Sequence, residues 1–368
     1  MASTINPFTP VFGTVPAVFA GRQEILDDLI EGLEGGTGNP NRCTLIIGPR
    51  GSGKTAMLRT FVNEASSFGW ISANVSCISG MLEDVYNQSK AAASDFVETH
   101  RKSHITSVSG GGFSISRSID AEYPPNWRLL MSRLLDELAE NSIGLVITVD
   151  EVDIRVDELR VLVTTYQHFV GEGRDVVLIL AGLPKNVVQM VMDGTISFLR
   201  RATHRHLGLI PPHVVRETIK KTVKISSRTI DESALQRATQ AAGGFPYLIQ
   251  LVGFHMWRQN PDNTAISLED AEDGITFARA EMNPIFEIML REISGQDRNF
   301  LLAMIEDEED SSVSEIAQRL GVSMSYVGQY RLRLIAQGIV GERGRGKIGF
   351  TIPMLKEYLL ENFVDREF

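Results

Sequence analysis

Cysteine is nearly absent: Cys43 and Cys77 are the two in 368 residues. Two thiols cannot build a disulfide framework or a thiolate-only metal cage, and they fit core packing in a reducing compartment. No apolar run approaches the ~20 residues of a membrane-crossing helix. The segment from Met1 to Phe8 has neither the basic nor the apolar stretch of a secretion signal, so a cytoplasmic location is expected. Positive charge is also short. The chain holds 36 Lys and Arg against 46 Asp and Glu, a formal net charge of −10. That balance argues against broad adhesion to nucleic acid or lipid, although one small basic module is compatible with it. What is present is ordinary for a globular protein, 43% hydrophobic and 22% charged residues, and the length suits two or three domains.

The chemistry concentrates in Gly48-Pro49-Arg50-Gly51-Ser52-Gly53-Lys54-Thr55, which fits the phosphate-loop pattern G-x-x-x-x-G-K-[ST]. Its flanks matter more than the match. Thr44 to Ile47 is a short β-branched apolar run that reads as a buried strand. From Ala56 to Asn63, Met57, Leu58, Phe61 and Val62 share one side of a helix. A glycine turn ahead of an ordinary helix would explain the glycines alone, but not a strand, a loop and a helix in this order. The three glycines let backbone N–H groups aim at phosphate oxygens, and the helix N-terminus adds partial positive charge. The run Gly48 to Ala56 is therefore the expected cradle for ATP or ADP, with Lys54 reaching the β- and γ-phosphates and Thr55 holding Mg2+. Farther on, Gly144 to Val149 is an apolar strand that ends in Asp150-Glu151. Strands often end in Asp. Paired with the loop, Asp150 is the expected second Mg2+ contact and Glu151 the base that polarises the attacking water.

Other segments have clear periods. Ile25, Leu26, Leu29, Ile30 and Leu33 form a helical stripe, as do Leu129, Leu130, Leu134, Leu135 and Leu138. Further helices are expected over Leu82 to Phe96 and Val156 to Gly171, with strands over Gly69 to Ser76 and Asp175 to Gly182. Residues 1–17, with Pro7, Pro10 and Pro16, predict extended chain. His104 to Ser116 alternates around Gly110-Gly111-Gly112 and predicts an inserted hairpin. His204 and His206 are too close together and too isolated to form a metal site.

The segment Val18-Phe19-Ala20-Gly21-Arg22, one helix ahead of the loop, resembles the start of AAA+ and STAND ATPase modules. In those families it packs against adenine, which implies nucleotide-pocket roles for Phe19 and Arg22. The end of the 175–182 strand departs from the AAA+ pattern, because Ala181 and Gly182 stand where a polar sensor is usual; this is more similar to STAND ATPases. By the same resemblance, Arg200 or Arg201 would meet the γ-phosphate, in cis or across a subunit interface. A solvated basic helix end is the plainer alternative. Gly244-Phe245-Pro246 resembles the G-x-P motif of a STAND lid, with Pro246 placed to position the lid against the nucleotide.

The last stretch changes character. Ser312 to Leu320, the turn Gly321 to Ser323, and Met324 to Gln337 read as helix-turn-helix. Ile339 to Thr351 alternates around glycines as a wing, and Pro353 to Asn362 closes as a helix. The second helix offers Ser323, Ser325, Tyr326, Gln329, Arg331 and Arg333 as base and phosphate contacts. The wing offers Arg343, Arg345 and Lys347.

The expected fold is α/β: a P-loop NTPase parallel sheet with helices on both faces, then an α-helical lid and a winged helix-turn-helix domain. The expected boundaries are 1–210, 211–292 and 293–368. This layout resembles archaeal origin-recognition ATPases. The resemblance implies an ATPase switch with low turnover, whose nucleotide state positions the winged helix on double-stranded DNA or a protein partner. An initiator-like DNA-binding protein and a scaffolding switch without DNA contact are the alternatives. An oligomer is compatible with all three.

Overall fold

The computed structural model describes residues 5–11, 13–103, 126–308 and 310–364. The hairpin expected at 104–116 lies outside them. Helix α1 (Gln23–Glu34) leads to β1 (Cys43–Ile47), α2 (Lys54–Ala65), β2 (Trp70–Ser76), α3 (Met81–Ser103) and α4 (Trp127–Glu140). Strand β3 (Gly144–Asp150), α5 (Asp157–Gly171), β4 (Val176–Gly182), α6 (Pro184–Met192) and β5 (Thr203–His206) complete the first part. The five strands form one parallel sheet in the order β2-β3-β4-β1-β5.

The strands are almost continuously apolar because both faces are covered, as parallel sheets require. Side chains alternate between the faces. Ile46, Val146, Val177 and Ile179 pack with α1 and α2, including Leu29, Met57 and Phe61. Leu45, Ile147, Leu178 and Leu180 pack on the other face with α3 to α6. Cys77 is buried there, as expected of a core thiol, and burial pushes the Cys43 thiol up to about 12. Following β1, the chain crosses β4 and β3 to reach β2, whereas β5 lies on the other side of β1. The crevice beyond the carboxyl end of β1 is where such sheets hold ligands.

Beyond the sheet come α7 (Pro212–Ile225), β6 (Thr229–Ile230), α8 (Glu232–Ala242), α9 (Pro246–Gln259), β7 (Ala265–Ile266) and α10 (Leu268–Glu292). A capping box of Ser267 and Asp270 starts α10. The chain ends in α11 (Gly295–Met304), β8 (Ser311–Ser312), α12 (Val313–Leu320), α13 (Met324–Ala336), β9 (Val340–Gly344), β10 (Lys347–Phe350) and α14 (Leu355–Leu359). Strands β8, β10 and β9 pair antiparallel, so the order is three helices with a hairpin. The apolar core does not break at residue 292. Phe286 and Leu290 of α10 share one cluster with Phe300, Leu355 and Leu359, and the Phe286 and Tyr358 rings lie 5.4 Å apart.

The described residues of the N-terminal segment form neither helix nor strand, bending at a turn near Gly13, and they tie two parts together. Phe8 is 1% exposed and lies flat on Gly253 of α9, where a Cβ would meet its ring at 2.2 Å. Asn6 Nδ2 donates to Phe254 O at 2.9 Å, and the Thr9 N–H donates to Gln250 Oε1 at 3.1 Å. Four residues after Thr9, Gly13 O accepts from Arg59 of α2. The strap thus runs from the lid to the helix that follows the phosphate loop.

Candidate functional site

The phosphate loop leaves β1 at the carboxyl end of the sheet, held by the Gly48 N–H donating to Gly182 O at 3.3 Å. Gly51 and Gly53 have φ of +77° and +90°, left-handed values that glycine adopts without a Cβ clash. Gly53 caps α2 with no side chain on the first turn's N–H groups, which remain available to an anion. Lys54 is 9% exposed and donates to Gly48 O at 3.0 Å and Pro49 O at 2.9 Å. Burial lowers its pKa below the usual lysine range, opposed by the charges of Asp150 and Glu151. Ser52 is 2% exposed, and its buried Oγ has no partner among the described residues. That orphan donor, the Lys54 ammonium and the open N–H groups form a cradle fitted to phosphate.

Strand β3 delivers the second half. Thr55 Oγ1 donates to Asp150 Oδ2 at 2.5 Å, so the hydroxyl and carboxylate expected to share Mg2+ are already neighbours. These hard oxygens suit that ion, which keeps several waters and needs few protein ligands. The Glu151 N–H donates to Asp150 Oδ1 at 2.9 Å. Glu151 itself has φ +55°, a strained value for a residue with a side chain, of the kind that gathers at functional sites. Its carboxylate is exposed at the mouth of the loop.

The adenine-side residues gather less tightly. Arg22 donates to Gly208 O, its Nε is buried without a partner among the described residues, and burial lowers its pKa. Phe19 is half-buried against the α1–α2 cluster. Neighbouring Gly21 abuts Ile210 and Val214 at the start of the lid.

Arg200 and Arg201 do not join this site within one chain. They precede Thr203, which pairs with Thr44 at the start of β1. The loop begins at Gly48, ~13 Å farther along the strand. Both arginines are exposed, and Arg200 donates to Val191 O at 3.2 Å. The contact in cis is thereby removed, because the strand register puts these residues at the wrong end of the sheet. Ala181 and Gly182 meet the site with backbone only: Gly182 O takes the Gly48 N–H, and Ala181 O takes the Val152 N–H.

The lid and the C-terminal part close on the loop. Phe245 lies where a Cβ on Gly51 would stand 2.8 Å from its ring, and Pro246 is the nearest side chain to Gly53, at 3.8 Å by the same measure. The Tyr247 N–H donates to Gly51 O at 3.3 Å. From the other side comes Gly338, in the turn between α13 and β9. Its φ is +74°, and a Cβ there would stand 2.8 Å from Pro49 Cβ. The G-x-P pattern signalled the first contact. Nothing in the local sequence signalled the second.

The expected nucleic-acid residues divide. Arg331 pairs with Glu342 at 2.5 Å, and Arg333 pairs with buried Asp297 at 2.5 Å. Arg343 donates to Phe350 O at 2.9 Å. These three guanidinium groups are engaged by partners within the chain although Arg333 and Arg343 are exposed, and Tyr326, Arg345 and Lys347 are exposed as well. Ser323 caps α13, accepting from the Tyr326 N–H at 3.3 Å, so its hydroxyl is occupied by the fold. Residues 293–368 carry nine Lys and Arg against twelve Asp and Glu, a net charge of −3.

Residues 18–177 match a family described as AAA ATPase domain. The chain carries an AAA ATPase domain. The matched residues of this domain include the phosphate loop, Asp150 and Glu151. Residues 283–359 match a domain of unknown function, DUF8462, which starts inside α10. No curated protein matches the sequence. Among solved structures, the chain is similar to the Walker-type ATPase PABY2304 of Pyrococcus abyssi, with TM-score 0.66 and 16% identity over 93% of this chain and 96% of that one. It is also similar to the Aeropyrum pernix ORC2 protein in its ADPNP–ADP complexes, with TM-score 0.61 and 12% identity over 96% of each chain. Cdc6p from Pyrobaculum aerophilum follows, with TM-score 0.50 and 15% identity over 96% of each chain. At these identities the likeness is one of fold, and it extends past the AAA ATPase domain to the C-terminal helices.

Proposed function

We propose that the chain is an ATP-binding, slowly hydrolysing switch whose nucleotide state sets the position of its C-terminal module. The carrying observation is that one phosphate loop is touched from two sides, by Phe245 and Pro246 of the lid and by Gly338 of the module. A ligand entering at Gly51 to Thr55 must therefore act on both.

In this reading Lys54 leaves the carbonyl oxygens of Gly48 and Pro49 for the β- and γ-phosphates, while the loop N–H groups and Ser52 Oγ bind the remaining oxygens. Thr55 and Asp150 would hold Mg2+, which supplies charge neutralisation on the phosphates when bound. Glu151, aimed by its left-handed backbone, takes a proton from the attacking water. Phe19 and Arg22 line the base side. Turnover is slow because Ala181 and Gly182 bring no polar side chain and Arg200 and Arg201 lie at the far end of the sheet from the phosphate loop. Arg200 or Arg201 acts only from a second copy.

The module's partner is protein or duplex DNA. The internal pairing of Arg331 and Arg333 and the net charge of −3 favour protein. Fluorescent-ATP binding and turnover, with and without duplex DNA at two salt concentrations, test the reading. Lys54→Ala is expected to weaken ATP at least tenfold, and Glu151→Gln to bind ATP without turnover. Unchanged affinity in the Lys54 variant contradicts it. Salt-dependent DNA binding lost on replacing Arg345 and Lys347 would assign the module to DNA.

A further inference from the structure

The seam between the lid and the C-terminal module holds an open cleft of about 440 Å3, none of whose lining residues belongs to the phosphate loop. Helices α8 and α10 form one wall, and β9, β10, the next turn and α14 form the other. Four cations line it, Arg237, Arg279, Arg343 and Lys356, against the carboxylates of Asp310 and Glu357. Among the described residues Arg237 has the closest carboxylate partner of the four, Glu272 at 2.7 Å. Arg343 stands 3.7 Å from Asp310, beyond hydrogen-bond reach, and donates instead to a carbonyl. Lys356 donates to the carbonyl oxygens of Asp307 and Glu308, which are dipoles and not charges. Arg279 makes no hydrogen bond or ion pair among the described residues, and its Nε is shut off from solvent without a partner.

A guanidinium N–H withdrawn from water with no acceptor is costly, and such groups in folded proteins call for an explanation. A phosphate or similar anion supplies it. Two guanidinium forks and an ammonium facing one cleft form the donor set that grips several phosphate oxygens together. The cleft's size suits a small molecule, and a duplex cannot enter a seam between packed helices. We propose that this cleft binds a small oligophosphate-type anion, which bridges Arg279 on the lid to Arg343 and Lys356 on the C-terminal module. Such a ligand fastens the two units together and stabilises the chain by mass action. The proposal is independent of the phosphate-loop reading.

Calorimetric titration of inorganic tripolyphosphate into the full chain carrying Lys54→Ala tests it, since that substitution silences the phosphate loop. One saturable site is expected, weakened at least tenfold by adding Arg279→Ala and equally by Arg279→Gln. Because Arg279 has no hydrogen-bond or ion-pair partner to lose among the described residues, both double variants are expected to melt with the Lys54→Ala chain when no anion is present. Tripolyphosphate should then raise the melting temperature of the Lys54→Ala chain alone. No saturable binding to that chain, or equal affinity with and without Arg279, overturns the proposal. Arg279-dependent binding of duplex DNA without binding of tripolyphosphate overturns it as well.

Discussion

Glu151 combines a catalytic position with a backbone conformation that disfavours its side chain, at φ +55°. Left-handed backbone costs a residue with a Cβ roughly 1 kcal/mol, and Asn tolerates it better than Glu. Since the side chain is exposed, the relief of strain is set only against its charge near Lys54, and Glu151→Asn is expected to stabilise the chain by up to ~1 kcal/mol. Turnover should vanish and ATP affinity stay within a few-fold. Paired thermal melts and phosphate release measure that exchange of stability for activity. Lys54 makes a pH prediction. Burial lowers its pKa, so the folded chain releases that proton before the unfolded chain does. The cost of burying the ammonium is fully present below the lowered pKa and disappears as pH rises from there to the ordinary lysine value. Denaturant midpoints should therefore show the unsubstituted chain gaining on Lys54→Met across that alkaline window, in the absence of nucleotide. A constant difference would contradict the burial argument.

Among the elements, the N-terminal strap and the turn at Gly338 govern how the phosphate loop is enclosed. Phe8→Ala removes a fully buried ring from the lid core and is expected to cost ~3–5 kcal/mol. Because the strap also reaches Arg59 on α2, the same change should speed nucleotide release, which stopped-flow displacement of a fluorescent analogue would show. Gly338→Ala meets both the left-handed φ and Pro49. It should cost ~1–2 kcal/mol, keep secondary structure by circular dichroism, and raise protease cleavage near residue 338. Legibility divides along the same lines. Strands β1 and β3 and helices α2 and α4 were readable because their apolar periods are local and their ends carry the phosphate loop or Asp150-Glu151. The strap's lack of a helix was readable from Pro7 and Pro10. Its partner was not, since Phe8 meets Gly253 across 245 positions of sequence. The ion pairs of Arg331 and Arg333 were hidden for a similar reason: exposure of a helix face does not reveal which carboxylate folds onto it.

At the scale of the whole molecule, the AAA ATPase domain is one wall of a three-part enclosure. The lid supplies Phe245, Pro246 and Tyr247, and the C-terminal module supplies Gly338, against the loop residues Pro49, Gly51 and Gly53. One apolar cluster runs from α7 to α14, so the lid and module are built to move together more than to separate. The central claim is that nucleotide binding at the loop changes the seating of Gly338 on Pro49. Hydrogen exchange of the full Glu151→Gln chain, with and without ATP and Mg2+, measures this most directly. The expected result is slower exchange over residues 48–56, which reports ATP binding, together with altered exchange over residues 336–341. Protection of 48–56 with 336–341 unchanged would contradict the claim, leaving an ATP-binding domain that does not communicate with its C-terminal module.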